Sequence, residues 1–241
     1  MYTYYIGFFW NWNVLVWYLL CKFRLFYATA IFVFFVPLLQ AAEVDKKSSL
    51  RAQFEPIIAT VNKQLLAEHK SFKQDPKTYQ AFLDQHVRPY WDSSSTARAL
   101  IGGKSFRSLA EKTQNKFVAA VDKTLIRYAF EGIGFYSGQQ FKLVDVAISD
   151  SGKMGWVQVL MKSQILPDLN LDILVKRNKS GVWKAVDVRF KGITYVAVKK
   201  YQFKKILEKQ GAGALIASLN EKNNSFFGAL CALEKVDKQS C

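Results

Sequence analysis

The sequence predicts an α+β domain: helices, then a twisted four-stranded antiparallel sheet, then C-terminal helices. Two observations carry this. Apolar residues recur at helical spacing from Leu50 to Tyr128, and the period changes to two between Val144 and Phe190. Short turn signals separate the alternating segments, which favours hairpins over crossovers.

Residues 42–49 are polar and read as a linker. From Leu50 to Phe72, the stripe Phe54, Ile57, Ile58, Val61 and Leu65 marks a first helix, with Pro56 early enough to be tolerated. Asp75-Pro76 opens a second helix bearing Tyr79, Phe82, Leu83 and Val87, and Pro89 ends it. Ser93-Ser94-Ser95-Thr96 reads as a capping cluster before Ala97–Ile101, and Gly102-Gly103 stops that helix. Ser108 and Glu111 are spaced as a capping box for a long helix with Phe117, Val121, Leu125 and Tyr128 on one face.

The alternation then places Val144, Val146, Ile148, Val157, Val159 and Met161 on one sheet face. Leu169, Leu171, Ile173, Val175, Val186, Val188 and Phe190 extend that face. Asp150–Lys153 and Asn178–Gly181 are turns. Helices follow over 199–210 and 212–219, parted by Gly211, and residues 223–241 read as a tail. No fixed-period repeat interrupts this order, so residues 50–222 are expected to form one domain.

The N-terminal segment 1–41 is an address and not part of that domain. Lys22 and Arg24 precede an apolar run from Leu25 to Val36, then Pro37 and the small residues Ala41-Ala42. This is the layout of a secretory signal, with cleavage expected after Ala41 and retention as a membrane anchor the alternative. Export would make Cys231 and Cys241 the mature cysteines, either disulfide-linked to each other or left as two thiols in a loose tail.

The chain has 241 residues and a formal charge of +15. Residues 1–42 hold Lys22, Arg24 and no acid, so residues 43–241 carry 32 basic against 19 acidic residues, or +13. The excess basic charge invites a nucleic-acid partner, but no binding motif accompanies it and none is expected. Lys199-Lys200, Lys204-Lys205 and Lys209 share one helix, which is either a solvated face or one that meets anionic lipid headgroups or an acidic partner. Aromatics at 15% exclude intrinsic disorder, and three cysteines exclude a disulfide scaffold.

Catalysis leaves no trace in the sequence. His69 and His86 lie in helical, lysine-bearing contexts, and no H-x-x-H, H-E-x-x-H or paired C-x-x-C exists, so neither enzyme nor metal or cofactor site is expected. Gly102-Gly103-Lys104-Ser105 ends like a P-loop but follows a helix, and Arg98 occupies the place of its first glycine.

One combination is distinctive. Trp183-Lys184-Ala185-Val186-Asp187-Val188 is followed by Lys191-Gly192-Ile193-Thr194, Tyr201–Leu207, Lys209-Gln210-Gly211 and Leu215–Leu219. With Val87-Arg88-Pro89-Tyr90-Trp91-Asp92, Ile101-Gly102 and the helix bearing Gln114, Phe117, Leu125 and Tyr128, it resembles the toluene-tolerance family of MlaC-like phospholipid-binding proteins. The likeness spans about Phe54 to Lys222. Val186 stands where members often have Tyr, and Lys191 where an acid is usual.

The resemblance implies a periplasmic, monomeric carrier that binds phospholipid and shuttles it between outer and inner membranes. Its expected partners are an inner-membrane MCE-type transporter complex and an outer-membrane lipoprotein–porin complex. Periodicity alone favours a dry core between sheet and helices. The resemblance instead implies an acyl-chain pocket, lined from the helices by Phe82, Phe106, Phe117, Val121, Leu125, Phe203 and Ile206. From the sheet, Val146, Ile148, Val157, Val159, Met161, Leu171, Ile173, Val175, Val186 and Val188 complete it. The alternative is an exported or anchored interaction module whose core is closed.

Overall fold

The computed structural model describes residues 45–164 and 167–233. The expected signal segment 1–41 and Cys241 lie outside the described residues. Cys231 is disulfide-bonded. Residues Lys46–Cys241 group by their internal contacts into one compact unit, and the three apolar clusters described below lie within it. That unit therefore has the core it needs to fold by itself.

Helix α1 covers residues 45–74, beginning inside the stretch read as a linker. It is followed by α2 (Pro76–His86), a 3-10 turn (Arg88–Tyr90), α3 (Ser93–Ile101), α4 (Gly103–Ser108) and α5 (Glu111–Gly134). The sheet comprises β1 (Gln140–Ile148), β2 (Met154–Lys162), β3 (Leu169–Arg177), β4 (Trp183–Phe190) and the short β5 (Ile193–Thr194). It is an antiparallel meander in which each strand pairs with the next. The last element, α6 (Tyr195–Leu233), is broken at Gly211, whose φ of 80° and ψ of 171° leave the helical region.

Two helix starts differ from expectation. Asp92, one residue before the serine cluster, caps α3 by accepting from the Ser95 amide at 2.9 Å. A carboxylate there also opposes the positive end of the helix dipole. Ser108 does not cap α5, because its hydroxyl donates to the Ser105 carbonyl within α4, and Ala110 takes the cap position with no side-chain bond. Asp75 does cap α2, accepting from the Lys77 amide at 3.0 Å. Its hydrogen bond from Thr78 holds the carboxyl below the usual aspartate range. Asp75→Ala should therefore cost about 1 kcal/mol at neutral pH. The folded-state pKa is the depressed one, so the wild-type advantage is complete above the ordinary aspartate value and fades as pH falls through the folded one. Urea titrations of both proteins across that range check this.

Two bulges rearrange the oily sheet face. In β1, Leu143 pairs with Val159 and Asp145 with Gln158, so Val144 is extra. Val144 is 52% exposed, while Leu143 and Phe141 occupy the inner face before the bulge. In β4, Leu174 pairs with Asp187 and Val175 with Ala185, which makes Val186 the extra residue. Ala185, not Val186, is thus the cross-strand partner of Val175. The Val186 carbonyl accepts from the buried Thr96 hydroxyl at 2.7 Å, tying the bulge to α3.

Helix α1 is pinned to β4 and to β1 by paired amides. Gln53 donates to the Trp183 carbonyl at 2.6 Å and accepts from its amide at 3.0 Å. Asn62 does the same for Phe141 on β1, at 2.6 and 2.8 Å. Each side chain satisfies two backbone groups that have no further strand to pair with.

Three apolar clusters result. One joins the start of α1 to the sheet through Leu50, Phe54, Val157, Val175 and Trp183. A second joins α3, α5 and α6 through Leu100, Phe117, Val121, Phe203 and Leu215. The third gathers the ends of α1 and α5 with α2, through Phe72, Tyr79, Phe82 and Phe130. Phe226, Phe227 and Leu230 pack onto the third cluster, and Asn223 is fully buried. Residues 223–233, read from sequence as tail, therefore continue the last helix and belong to the packed structure.

Candidate functional site: a two-chambered apolar cavity

The start of α1 sits directly on the sheet, with Leu50, Val157 and Val175 fully buried against one another. Further along, helix and sheet part. Ile57, Ile58 and Val61 of α1 face Val159, Leu171 and Ile173 across a chamber of about 220 Å³. Beside it lies a larger cavity of about 520 Å³, lined mainly by α1, α2, α5 and the sheet. Val61, Val87, Trp91, Phe141 and Leu171 belong to the walls of both. The larger volume falls within the ~300–1,000 Å³ typical of small-molecule pockets.

Six of the expected residues reach these walls: Phe82, Leu125 and Val188 in the larger cavity, Val159 and Ile173 in the smaller, and Leu171 in both. The others do not line either chamber. Phe106, Phe117, Val121, Phe203 and Ile206 pack between α3, α5 and α6. Helix packs on helix there, so those side chains meet each other and not the sheet. Val146, Ile148, Val157 and Val175 lie under the start of α1 in the dry cluster. Val186 is displaced by its bulge, and Met161 stands at the far end of β2.

Sequence reasoning missed other wall residues. Tyr79, Leu83 and Val87 were visible as the α2 stripe, but nothing in periodicity separates a stripe facing a cavity from one facing a core. Trp91 needs tertiary information. It forms a parallel bridge with Ala185, and its indole donates to Thr96 at 3.1 Å, which fixes the ring against both chambers.

One side of the larger cavity is polar. Arg88 donates to Asp84 at 3.0 Å and to Asp122 at 2.6 Å, while Ser93 donates to the other Asp122 oxygen at 2.6 Å. The Asp84 hydrogen bond chiefly raises the Arg88 pKa, so the guanidinium stays charged. Tyr128 and Tyr195 meet edge to face at 5.6 Å, and burial pushes the Tyr195 hydroxyl up, keeping it neutral. This margin can hold a polar group while the remaining wall shelters hydrocarbon.

The two histidines stand elsewhere. His69 Nδ1 lies 3.0 Å from the Leu65 carbonyl, and the His86 ring packs on Phe82 at the end of α2. Among the described residues, no group of His, Cys, Asp and Glu is arranged to hold a metal. No described helix is long and apolar enough to cross a membrane.

An antiparallel sheet with helices standing off part of it, around walls that are hydrocarbon except for one polar margin, defines a container for an apolar ligand. The chain belongs to the MlaC protein family, whose model matches residues 55–221. This is a periplasmic family of phospholipid carriers, and its members are not enzymes. Among solved structures, the chain is similar to a phospholipid-binding protein from Ralstonia solanacearum in complex with a phospholipid. The two share 18% identity with a TM-score of 0.62, over 75% of this chain and 98% of that one. At that identity the likeness shows a shared fold.

Proposed function

We propose that this chain holds phospholipid acyl chains in the two chambers and carries them between the inner and outer membranes. Phe82, Leu125, Val159, Leu171, Ile173 and Val188, which face the chambers and belong to the apolar stripes of the sequence, are the proposed acyl-chain contacts. The observation that carries the reading is the pair of apolar chambers left between α1, α2, α5 and the strands β2 and β3. A closed interaction module would have no use for such a gap.

The energetics favour shelter. Exposing a methylene to water costs ~0.8 kcal/mol, so a 16-carbon chain carried bare costs roughly 12 kcal/mol. A soluble carrier must hide most of that surface, and the chamber walls are built from the side chains able to do so. The MlaC membership supports exchange with an inner-membrane MCE-type transporter and an outer-membrane lipoprotein–porin complex. The signal-like segment 1–41 supports export to the compartment where that exchange takes place.

Organic extraction of the protein purified from cells, followed by mass spectrometry, tests the reading. Phospholipid in stoichiometric amount is expected. Lipid-free protein that also takes up none from phospholipid vesicles would overturn it.

A further inference from the structure

We propose that the β4–β5 hairpin and the adjoining first turns of α6 form a docking surface for an anionic phospholipid bilayer. Among the described residues, four of the eight large hydrophobic side chains that stand exposed fall within residues 190–201, a concentration and not a scatter along the chain. Phe190 is 44% exposed, Ile193 60%, Val198 58% and Tyr201 78%. Phe190 and Ile193 are cross-strand partners. Between them Lys191 and Gly192 form a two-residue turn with φ of 47° and 82°, both in the left-handed region. Val198 and Tyr201 are three residues apart on the helix that begins at Tyr195, and so share its outer face.

Charge selects the partner. Residues 188–211 carry seven basic residues and one acid, Glu208. Arg189 is occupied by Asp172 at 2.7 Å, and Lys204 faces Glu208 at 3.6 Å. Lys191, Lys200 and Lys205 are exposed and stand in no ion pair among the described residues. A tight hairpin with an aromatic and an aliphatic side chain beside its turn, accompanied by lysines and an exposed tyrosine, suits the boundary between headgroups and acyl chains. Apolar groups enter that layer, tyrosine straddles it, and lysines reach the anionic headgroups. An acidic protein would satisfy the lysines but would leave Ile193 and Phe190 without a role.

The placement relative to the cavity is informative. Val188 and Tyr195, which flank the hairpin on either side, both line the larger chamber. Docking at this surface therefore brings one wall of the cavity to the bilayer. The patch itself contributes no cavity wall, so the inference stands apart from the cargo reading.

The test uses the compact unit 46–241 in co-sedimentation with phosphatidylethanolamine vesicles, with and without phosphatidylglycerol. Wild type is expected to bind the anionic vesicles, more weakly as salt is raised. The triple variant Lys191→Glu, Lys200→Glu, Lys205→Glu should bind them at least about tenfold more weakly. Ile193→Ser with Tyr201→Ser should also weaken binding, at any salt concentration. Both variants alter exposed side chains and should keep their thermal midpoint and any co-purifying lipid, which separates failure here from failure of the carrier reading. Absence of wild-type binding to anionic vesicles, or binding that neither variant reduces, overturns the proposal and turns the lysines towards an acidic protein.

Discussion

Leu171→Trp is expected to empty the carrier while leaving it folded. Leu171 lies in the wall shared by both chambers and is only partly buried, so a larger ring has free volume to enter. Displacing even two methylenes of cargo costs ~1.6 kcal/mol, more than the ~1.4 kcal/mol of a tenfold loss of affinity. Phospholipid recovered by extraction should fall at least tenfold, with little change in the thermal midpoint. The matched control is Val175→Trp. Val175 is fully buried four residues along the same strand face, in the dry cluster with Val157 and Trp183. An indole there has nowhere to go and should cost about 3 kcal/mol or more, since overpacking strains a filled core. Equal destabilisation by the two substitutions, or a full lipid load in Leu171→Trp, would show that the chambers are not where cargo sits.

The contrast between Leu171 and Val175 also explains what the sequence could and could not reveal. Both residues belong to one alternating strand, and the alternation correctly puts them on one face. Alternation reports which way a side chain points and is blind to how far away the opposite layer stands. Here that distance is set by α1, which packs on the sheet at Leu50 and is tied to β1 at Asn62, yet leaves a chamber between Ile57, Ile58 and Val61 and the strands β2 and β3. Helical spacing of its apolar residues is the same in both halves. The bulges at Val144 and Val186 were hidden for a related reason. A single extra residue inverts the pattern downstream, and a strand with apolar residues on both sides of the slip, such as Leu143-Val144 or Ala185-Val186, carries no mark of it. Asp75, by contrast, was readable because a cap is chemistry between neighbours in sequence. The order of elements survived for the same reason: it depends on local period and turn residues.

Asn223 is the clearest residue whose role required the third dimension, and removing it should be costly. It is fully buried between α5 and α6, donating to the Ala120 carbonyl and the Thr124 hydroxyl at 3.1 Å each. Its carbonyl oxygen accepts from Arg127 Nε at 3.2 Å. Asn223→Leu keeps the volume but strands these partners, and a loss of about 2–3 kcal/mol is expected. Thr124 retains its own bond to Ala120 at 2.8 Å, so Thr124→Val removes a second polar group and not the last one. The double variant should then lose less than the two single losses together, because an apolar pair of similar shape no longer leaves either hydroxyl or amide unmatched. Denaturant titration of the four proteins measures the coupling, and strict additivity would dissolve the claimed network. Its reach extends to the cavity. Leu125, Tyr128 and Ala129 line the larger chamber from α5, the helix that carries Thr124. The joint to α6 thus holds one wall at its distance from the sheet, and the single and double variants should reduce lipid load in proportion to how far they loosen it.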